Sequence, residues 1–536
     1  MAEAEAERDG SVQRGGWRGL VGESRTGWGL RRRLSFVAAL TLGLIGLADY
    51  LFFEQPIGWS VGLYAAALLG ALLMRGGAVV GAGKRVRAGR VLVWLIVGLI
   101  GALVVQPGPM VVGMTLVGLV SLAAVQRGGW TSSVAEWVRR WVWFGLRGLV
   151  QPWVDAWRVA SWQSARVGRV GRAHAQSAWA SGLVRWVLPV AVGVVFLLLF
   201  MAANPVIEWG VRAFGERVTA RLERLPEWLP VARWGLWIVA GLGVWALLRV
   251  RFTWRGRGGG ASAAGQADPR SEGLSFEGRG LARVLPVGVV WRSLVVFNVM
   301  FAVHLVLDGV FLFGRSALPE GMTLAGYAQR GAYPLLATAL LAVGFVLLGC
   351  RAGERGTGAR LVRVFVTLWV GQNVLLLATA VWRLNLYVEA YSLTRLRVAA
   401  AIWMGVVAVA FVLVLWRVLA ERDNGWLLRR AAVLGVAVIY ASCFVNFDGF
   451  IARYNVTHSA ELRAVAGGTP VDLDYLEHLG PEALPAVEGL SERLAGDHPR
   501  AAEVRGVSRR LRSELREQTQ DWRGWTLRRG VLLAAR

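Results

Sequence analysis

The chain has 536 residues, of which 55% are hydrophobic, and its mean hydropathy is +0.47. A set of soluble domains of this length would need more polar surface, so the composition excludes an ordinary soluble protein and favours a polytopic α-helical membrane protein. The net charge of +25 would indicate a nucleic-acid partner in a soluble chain, but here the charge is spread over the connections between apolar runs. We therefore expect an all-α membrane fold and no nucleic-acid partner.

Eleven apolar runs are close to the roughly 17 to 25 residues that a helix needs to cross a bilayer, which predicts about 11 transmembrane helices. The runs cover residues 34–53, 57–74, 91–106, 109–125, 186–203, 231–250, 287–313, 331–350, 361–382, 398–419 and 427–447. The sequence QPGP at 106–109 joins the third run to the fourth and predicts a tight hairpin.

Basic residues are distributed unevenly between alternate connections. With the N-terminus placed in the cytoplasm, the inner segments carry a net charge of +23 and the outer segments +3. Because basic residues are retained on the cytoplasmic side, this asymmetry predicts a cytoplasmic N-terminus and an extracytoplasmic C-terminus in a bacterial plasma (inner) membrane. The inner arginines also predict contact with anionic inner-leaflet lipids of the bilayer.

The chain divides into segments of different character along its length. These are a polar cytoplasmic N-terminus (1–33), a four-helix membrane segment (34–125), Trp- and Arg-rich interfacial cytoplasmic helices (126–185), a membrane segment (186–250) with an outer amphipathic helix (204–228), a flexible cytoplasmic linker (251–285), a five-helix membrane segment (286–447) and a helical extracytoplasmic tail (448–536). Pro152 predicts a break within the interfacial helices.

Motifs for the common catalytic chemistries do not occur. Lys84 lies in the glycine-containing sequence GAVVGAGKRVR, but Ala78 and Arg85 occupy the places where a phosphate-binding loop needs glycine and Ser or Thr. The chain has two cysteines and scattered histidines, and it contains no HExxH, CxxC or GxSxG motif. We expect no metal and no cofactor.

One apolar run carries polar groups that are costly in hydrocarbon. Asn298, His304 and Asp308 lie in the seventh run, and the last two are four residues apart, on one face of a helix. Such groups are candidate functional groups for a transporter or an ion-coupled permease. The alternative is structural: His304 satisfies Asp308 near the outer headgroups.

The segment RLNLYVEAYSLTRLR, residues 383–397, separates two outer span ends and is called the hinge segment below. Helical spacing places Arg383, Tyr387, Tyr391 and Arg395 along one stripe, which is typical of an interfacial aromatic belt with arginines over ring faces. Glu389 is within reach of an arginine with which it can pair.

These residues resemble an uncharacterised bacterial multi-pass family, domain of unknown function 4173, with the related group 4153. The hinge segment is similar to a Y-x-x-x-Y-G-L-T-x-x-R pattern, with Ser392 where glycine is usual. The outer loop at 318–336, the segment NFDGFIARYN and the tail sequence DLDYLEHLGPEALPAV agree with the same family. The resemblance implies a shared topology and no assigned activity. It singles out Tyr327, Arg330, Tyr387, Glu389, Tyr391, Thr394, Arg395, Arg397, Asn446, Asp448, Arg453 and Asn455 as a candidate outer surface.

Three functions fit these observations. The first is a non-enzymatic scaffold, sensor or envelope-associated partner, which would bind another membrane or envelope protein through its outer surface. The second is a transporter that uses the polar seventh span. The third is a membrane enzyme acting on a lipid-linked substrate, with Glu389 or Asp448 as the base.

Overall fold

The computed structural model describes residues 35–75, 83–166, 205–222, 231–249, 287–313, 357–462, 469–494 and 498–534. Every regular element within these ranges is helical, as the sequence predicts. The linker at 251–285, the outer-loop residues Tyr327 and Arg330, and the predicted spans 186–203 and 331–350 lie outside them.

The chain forms two compact units, which are described separately. The described helices of the first unit are α1 (Ser35–Phe52), α2 (Ser60–Arg75), α3 (Lys84–Val105), α4 (Pro109–Gly128), α5 (Val134–Arg166), α6 (Pro205–Leu222) and α7 (Val231–Arg249). Pro109 takes the first position of α4, where its missing N–H costs nothing. The turn before it joins α3 to α4, as the sequence predicts. The core includes the fully buried Leu72, Ile96 and Leu122.

The Trp- and Arg-rich helix α5 differs from the predicted pair of helices, since it runs unbroken through Pro152. A buried ion pair attaches it to α7: Asp155, which is 2% exposed, accepts from Arg249 Nε at 3.0 Å and from Arg249 Nη2 at 2.9 Å. The indole N–H of Trp245 also donates to Asp155, at 3.2 Å. These bonds satisfy a carboxylate that would be costly to bury alone.

The first unit also contains a segment from near the other end of the sequence. Residues Gln518–Arg528, here called the clasp segment, belong to this unit. Trp59 N donates to Trp525 O at 2.9 Å, and Trp59 Nε1 donates to Trp522 O at 2.7 Å. Arg523 lies over the ring of Tyr50 and donates to Gln55 Oε1 at 2.8 Å. The clasp segment therefore covers the connection between α1 and α2.

The described part of the second unit begins with four long helices: α8 (Val287–Phe313), α9 (Thr357–Tyr391), α10 (Arg395–Leu419) and α11 (Asn424–Ser442). Trp369 on α9 is fully buried and packs edge-on against Phe301 and Phe411, with ring centroids 6.4 and 5.9 Å away. One aromatic side chain thus joins α8, α9 and α10.

Six of the described helices are long and apolar enough to cross a membrane. They are Ser35–Phe52, Arg85–Val105, Pro109–Gly128, Arg360–Tyr391, Arg395–Leu419 and Asn424–Ser442. Only 11% of the apolar window of α10 and 6% of that of α11 is buried within the chain, which suits a lipid environment and not water. Two shorter apolar helices, Ser60–Arg75 and Arg292–Val303, accompany the six. The count of about eleven spans is not confirmed by the described residues.

The tail of the second unit is a set of short helices that share one core with the hinge segment. Its elements are α12 (Phe447–Thr457), α13 (Leu473–His478), a 3-10 turn (Gly480–Ala483), α14 (Leu484–Arg493), α15 (Ala501–Thr519) and α16 (Leu527–Ala534). Leu476, Leu490 and Leu511 are fully buried in this core, together with Leu393 of the hinge segment. The tail is therefore packed on the ends of the long helices.

Candidate functional site

The hinge segment is a helix end, a three-residue turn and a helix start. Helix α9 continues through the two tyrosines to Tyr391, and Thr394 begins α10 by accepting a hydrogen bond from Arg397 N. The single helical stripe expected from Arg383 to Arg395 is thus interrupted, because Ser392 takes a left-handed conformation with φ of +66°. This is the position where the resemblance places glycine, which adopts such a φ without steric cost.

Asn455 holds the turn from the neighbouring helix α12. Its Oδ1 accepts from Leu393 N at 2.7 Å, and its Nδ2 donates to Leu393 O at 2.9 Å. Helix α12 places it there because Ile451, Ala452 and Val456 bury the same face. The amide therefore satisfies two backbone groups that the break between α9 and α10 leaves without helical partners.

Arg395 connects the start of α10 to two parts of the tail. Its Nε donates to Asp448 Oδ1 at 2.6 Å, and its backbone N–H donates to the hydroxyl oxygen of Tyr475 at 2.9 Å. Tyr475 is one of the residues that the sequence analysis did not single out, although it lies within the quoted tail sequence. These bonds bring the hinge segment, α12 and α13 together.

Arg397 caps the end of α9 from the first turn of α10. Its Nη1 donates to Tyr391 O at 2.6 Å and to Ser392 O, and its guanidinium lies 4.3 Å from the ring centroid of Tyr387. The rings of Tyr387 and Tyr391 are 4.9 Å apart. The predicted stacking of an arginine on a tyrosine is present, and the arginine is Arg397.

Two further side chains tie the tail to the hinge segment and to the start of α12. Thr469 Oγ1 donates to the carbonyl oxygens of Glu389 and Ala390, each at 3.2 Å. Asn446 caps α12 by accepting from Gly449 N at 3.0 Å, and its Nδ2 donates to Glu482 Oε2 at 3.3 Å. The Glu389 side chain accepts from Asn385 Nδ2 at 2.8 Å, so the partner described for it is an amide.

Glu461 organises the charged interior of the tail, and the sequence analysis missed it. Its two carboxylate oxygens accept from Val471 N, both at 3.1 Å, and one of them also pairs with Arg500. Burial raises the pKa of this carboxyl, but backbone N–H donors and Arg500 outweigh burial and hold the pKa below its ordinary value. No local motif marks this residue, since its partners are distant in sequence.

The remaining candidates lie apart from this cluster or take no part in it. Asn298 joins α8 to α9 through its Nδ2, which donates to Phe365 O at 3.0 Å. His304 and Asp308 belong to α8, but the predicted pairing of their side chains lies outside the described part of the structure. Arg453 is exposed on α12, and its backbone carbonyl accepts a hydrogen bond from Thr457 Oγ1 at 2.9 Å.

The hinge segment, α12 and α13 together form the tail joint, in which polar side chains hold the tail on the ends of the long helices. The carboxylate of Asp448 is paired with Arg395, so one of its oxygens already has a protein partner. Among the described residues, no group of three His, Cys, Asp or Glu side chains could hold a metal ion. The backbone amides, the amide side chains and the arginines instead satisfy one another across the joint.

Comparison with known proteins places the chain in one family. No curated protein and no solved structure shows a significant match. A family match covers residues 108–490, which is more than half of the chain and includes the hinge segment, α12, α13 and most of α14. The matched group is the second of the two that the sequence resembles; the first, 4173, is not shown. The chain is a member of the family described as Domain of unknown function (DUF4153).

Proposed function

We propose that this protein is a non-enzymatic integral protein of the bacterial plasma membrane, whose tail is held on the outer end of the helical bundle as a scaffold for a membrane or envelope protein. The observation that supports this proposal most is the convergence of three family-like segments on one joint. Their polar groups are used to fix the tail: Asn455 on Leu393, Arg395 on Asp448, and Tyr475 on the backbone of Arg395.

The contacts of the two candidate bases favour this function over catalysis on a lipid-linked substrate. Asp448 is paired with Arg395, and Glu389 is exposed and bonded to an amide. A general base needs a free carboxylate near its substrate and a pKa close to the working pH. Each of these two carboxylates already has a protein partner, which favours a structural use.

Sidedness is tested by labelling single cysteines in intact cells. In a chain whose two native cysteines are replaced by alanine, Arg509→Cys on the exposed face of α15 should react with a membrane-impermeant maleimide. The matched control, Arg87→Cys on the exposed first turn of α3, should react only after the cells are permeabilised. The reverse pattern would overturn the proposed orientation.

Partner binding is tested by photo-crosslinking from the same positions in living cells. A photoreactive residue at Arg509 should give a discrete protein adduct, and Asn455→Ala, which loosens the tail, should weaken it. A photoreactive residue at Val412, which is 55% exposed on the apolar surface of α10, should not give that adduct. The absence of any discrete adduct from the tail would exclude the scaffold function.

A further inference from the structure

Three polar atoms have no hydrogen-bond partner at the crossing of α8 and α9. They are Asn298 Oδ1, Trp369 Nε1 and Gln372 Oε1. Asn298 is 4% exposed and Trp369 is fully buried, so neither reaches solvent at the surface of the chain. In hydrocarbon an unpaired polar group costs several kcal/mol, and such groups in a folded protein require an explanation.

The contacts around these atoms fix which atoms are left over. Asn298 Nδ2 donates to Leu294 O at 2.7 Å and to Phe365 O at 3.0 Å. Turning this amide over would set its oxygen against two carbonyl oxygens, so Oδ1 must be the unpaired atom. Gln372 Nε2 likewise donates to Asn298 O at 3.0 Å, which leaves Oε1 as an acceptor without a donor.

The three residues lie close together along the two helices. Gln372 bonds to the backbone of Asn298, and the amide of Asn298 bonds to Phe365, one turn before Trp369. Trp369 itself packs on Phe301, one turn after Asn298. Asn298 lies about 16 Å along the axis from the start of α8 at Val287, at a rise of 1.5 Å per residue, which is about three turns into the helix.

The chemistry of the unpaired atoms selects the molecule that would satisfy them. Two are acceptors and one is a donor, so the complement donates two hydrogen bonds and accepts one. A cation would be repelled by the N–H of Trp369, and an anion would be repelled by the two amide oxygens. We propose that the crossing of α8 and α9 binds a water molecule within the membrane, held by Asn298, Gln372 and Trp369. This site is independent of the tail joint and goes beyond the proposed function.

A vibrational probe in the full-length protein in nanodiscs tests this site. With Cys350 and Cys443 replaced by alanine, Asn298→Cys is converted to a thiocyanate, whose nitrile stretch shifts to higher frequency when water donates to it. The control is Val299→Cys, one residue away and 58% exposed on the lipid-facing surface of α8. We expect a higher frequency at position 298 than at position 299, and equal frequencies would overturn the proposal.

Two further measurements keep the test valid if the Asn298→Cys variant does not fold. Gln372→Cys, labelled in the same way, should also show the hydrated band. A density map of the unmodified chain in nanodiscs should contain a peak within hydrogen-bond distance of the three atoms. A map in which these atoms bond directly to protein groups, with no such peak, would exclude the water site.

Discussion

Asn455 and Leu393 exchange two hydrogen bonds between a side-chain amide and a backbone, at 2.7 and 2.9 Å. The pair joins residues 62 positions apart, and both are buried. Because the turn breaks the helical ladder between α9 and α10, this amide supplies bonds that the backbone cannot make for itself.

Replacing Asn455 by leucine should destabilise the joint by about 2 to 4 kcal/mol, since two buried backbone groups would each lose a partner. Chemical denaturation of the detergent-solubilised chain measures the loss, and limited proteolysis should show earlier cleavage of the tail. The control is Asn385→Ala, which removes an exposed amide bonded to Glu389 and should leave stability nearly unchanged. Equal effects of the two variants would contradict the role given to Asn455.

Ser392→Gly should stabilise the chain by about 0.5 to 1 kcal/mol, because a non-glycine residue in the left-handed region is strained and glycine is not. The relevant geometry is the φ of +66° at Ser392. The matched control is Ser513→Gly on the exposed face of helix α15, where glycine should cost about 0.5 to 1 kcal/mol. Thermal melting compares the two, and changes of the same sign would argue against strain at Ser392.

Arg397→Lys should cost about 1 to 2 kcal/mol although the charge is kept. Lysine lacks the planar fork that donates to Tyr391 O and Ser392 O while the guanidinium stacks on Tyr387. Arg453→Lys on the exposed face of α12 is the control and should change the free energy of unfolding by less than about 0.5 kcal/mol. If the melting curve of Arg397→Lys is the same as that of the unmodified chain, the capping role given to Arg397 is wrong.

Acidification should loosen the tail through Glu461. The folded-state pKa of this carboxyl lies below its ordinary value of 4.5, so its contribution to stability is complete above that value and is lost as the pH falls through the folded pKa. Melting curves measured from pH 7 to pH 3 should show this loss. Glu461→Gln should be less stable at pH 7 and should show a shallower decline below pH 4.5. A decline of unchanged steepness would assign the acid sensitivity to other groups, such as Glu477.

Gly524→Ala should detach the clasp segment from the connection between α1 and α2. A Cβ at position 524 would clash with Gln518 O and would lie 2.8 Å from Pro56 Cβ, which is closer than non-bonded carbon atoms approach. The backbone would have to move, at a cost of at least about 2 kcal/mol. Gly489→Ala within α14 meets no atom within 4 Å and should be neutral or stabilising. A detergent melting curve for each variant distinguishes them, and equal curves would disprove close packing at Gly524.

The sequence predicts the helices better than it predicts the joint. Apolar periodicity and the proline of the 106–109 turn lead to α3, α4 and their hairpin, because hydrocarbon thickness and proline sterics act locally. The break at Ser392 is not predicted by helical spacing, which runs one stripe through it; the glycine that the resemblance places there is the one signal for a positive φ. The partners of Asn455 and Glu461 are not foreseeable, because each bond joins segments that only the tertiary fold brings together.

Sequence spacing also gives a wrong prediction at two places, the arginine that stacks on Tyr387 and the break at Pro152. Arg395 shares helical spacing with Tyr387 and Tyr391, yet it belongs to the next helix, and Arg397 stacks on the ring instead. Pro152 predicts a break, but α5 continues through it while Asp155, less than one turn later, is fixed to α7. In both cases contacts with a neighbouring helix decide the outcome over local preference.

The clasp segment has a consequence for the time course of biosynthesis. Trp59 bonds to Trp522, which follows it by 463 positions. At roughly 5 to 20 residues per second, the ribosome reaches Trp522 about 20 to 90 s after Trp59. For that interval the connection between α1 and α2 exists without its cover. A chaperone or a protease that acts on nascent membrane proteins would meet this connection exposed, and the first unit is completed only after Gly256–Glu517 of the second unit has been synthesised.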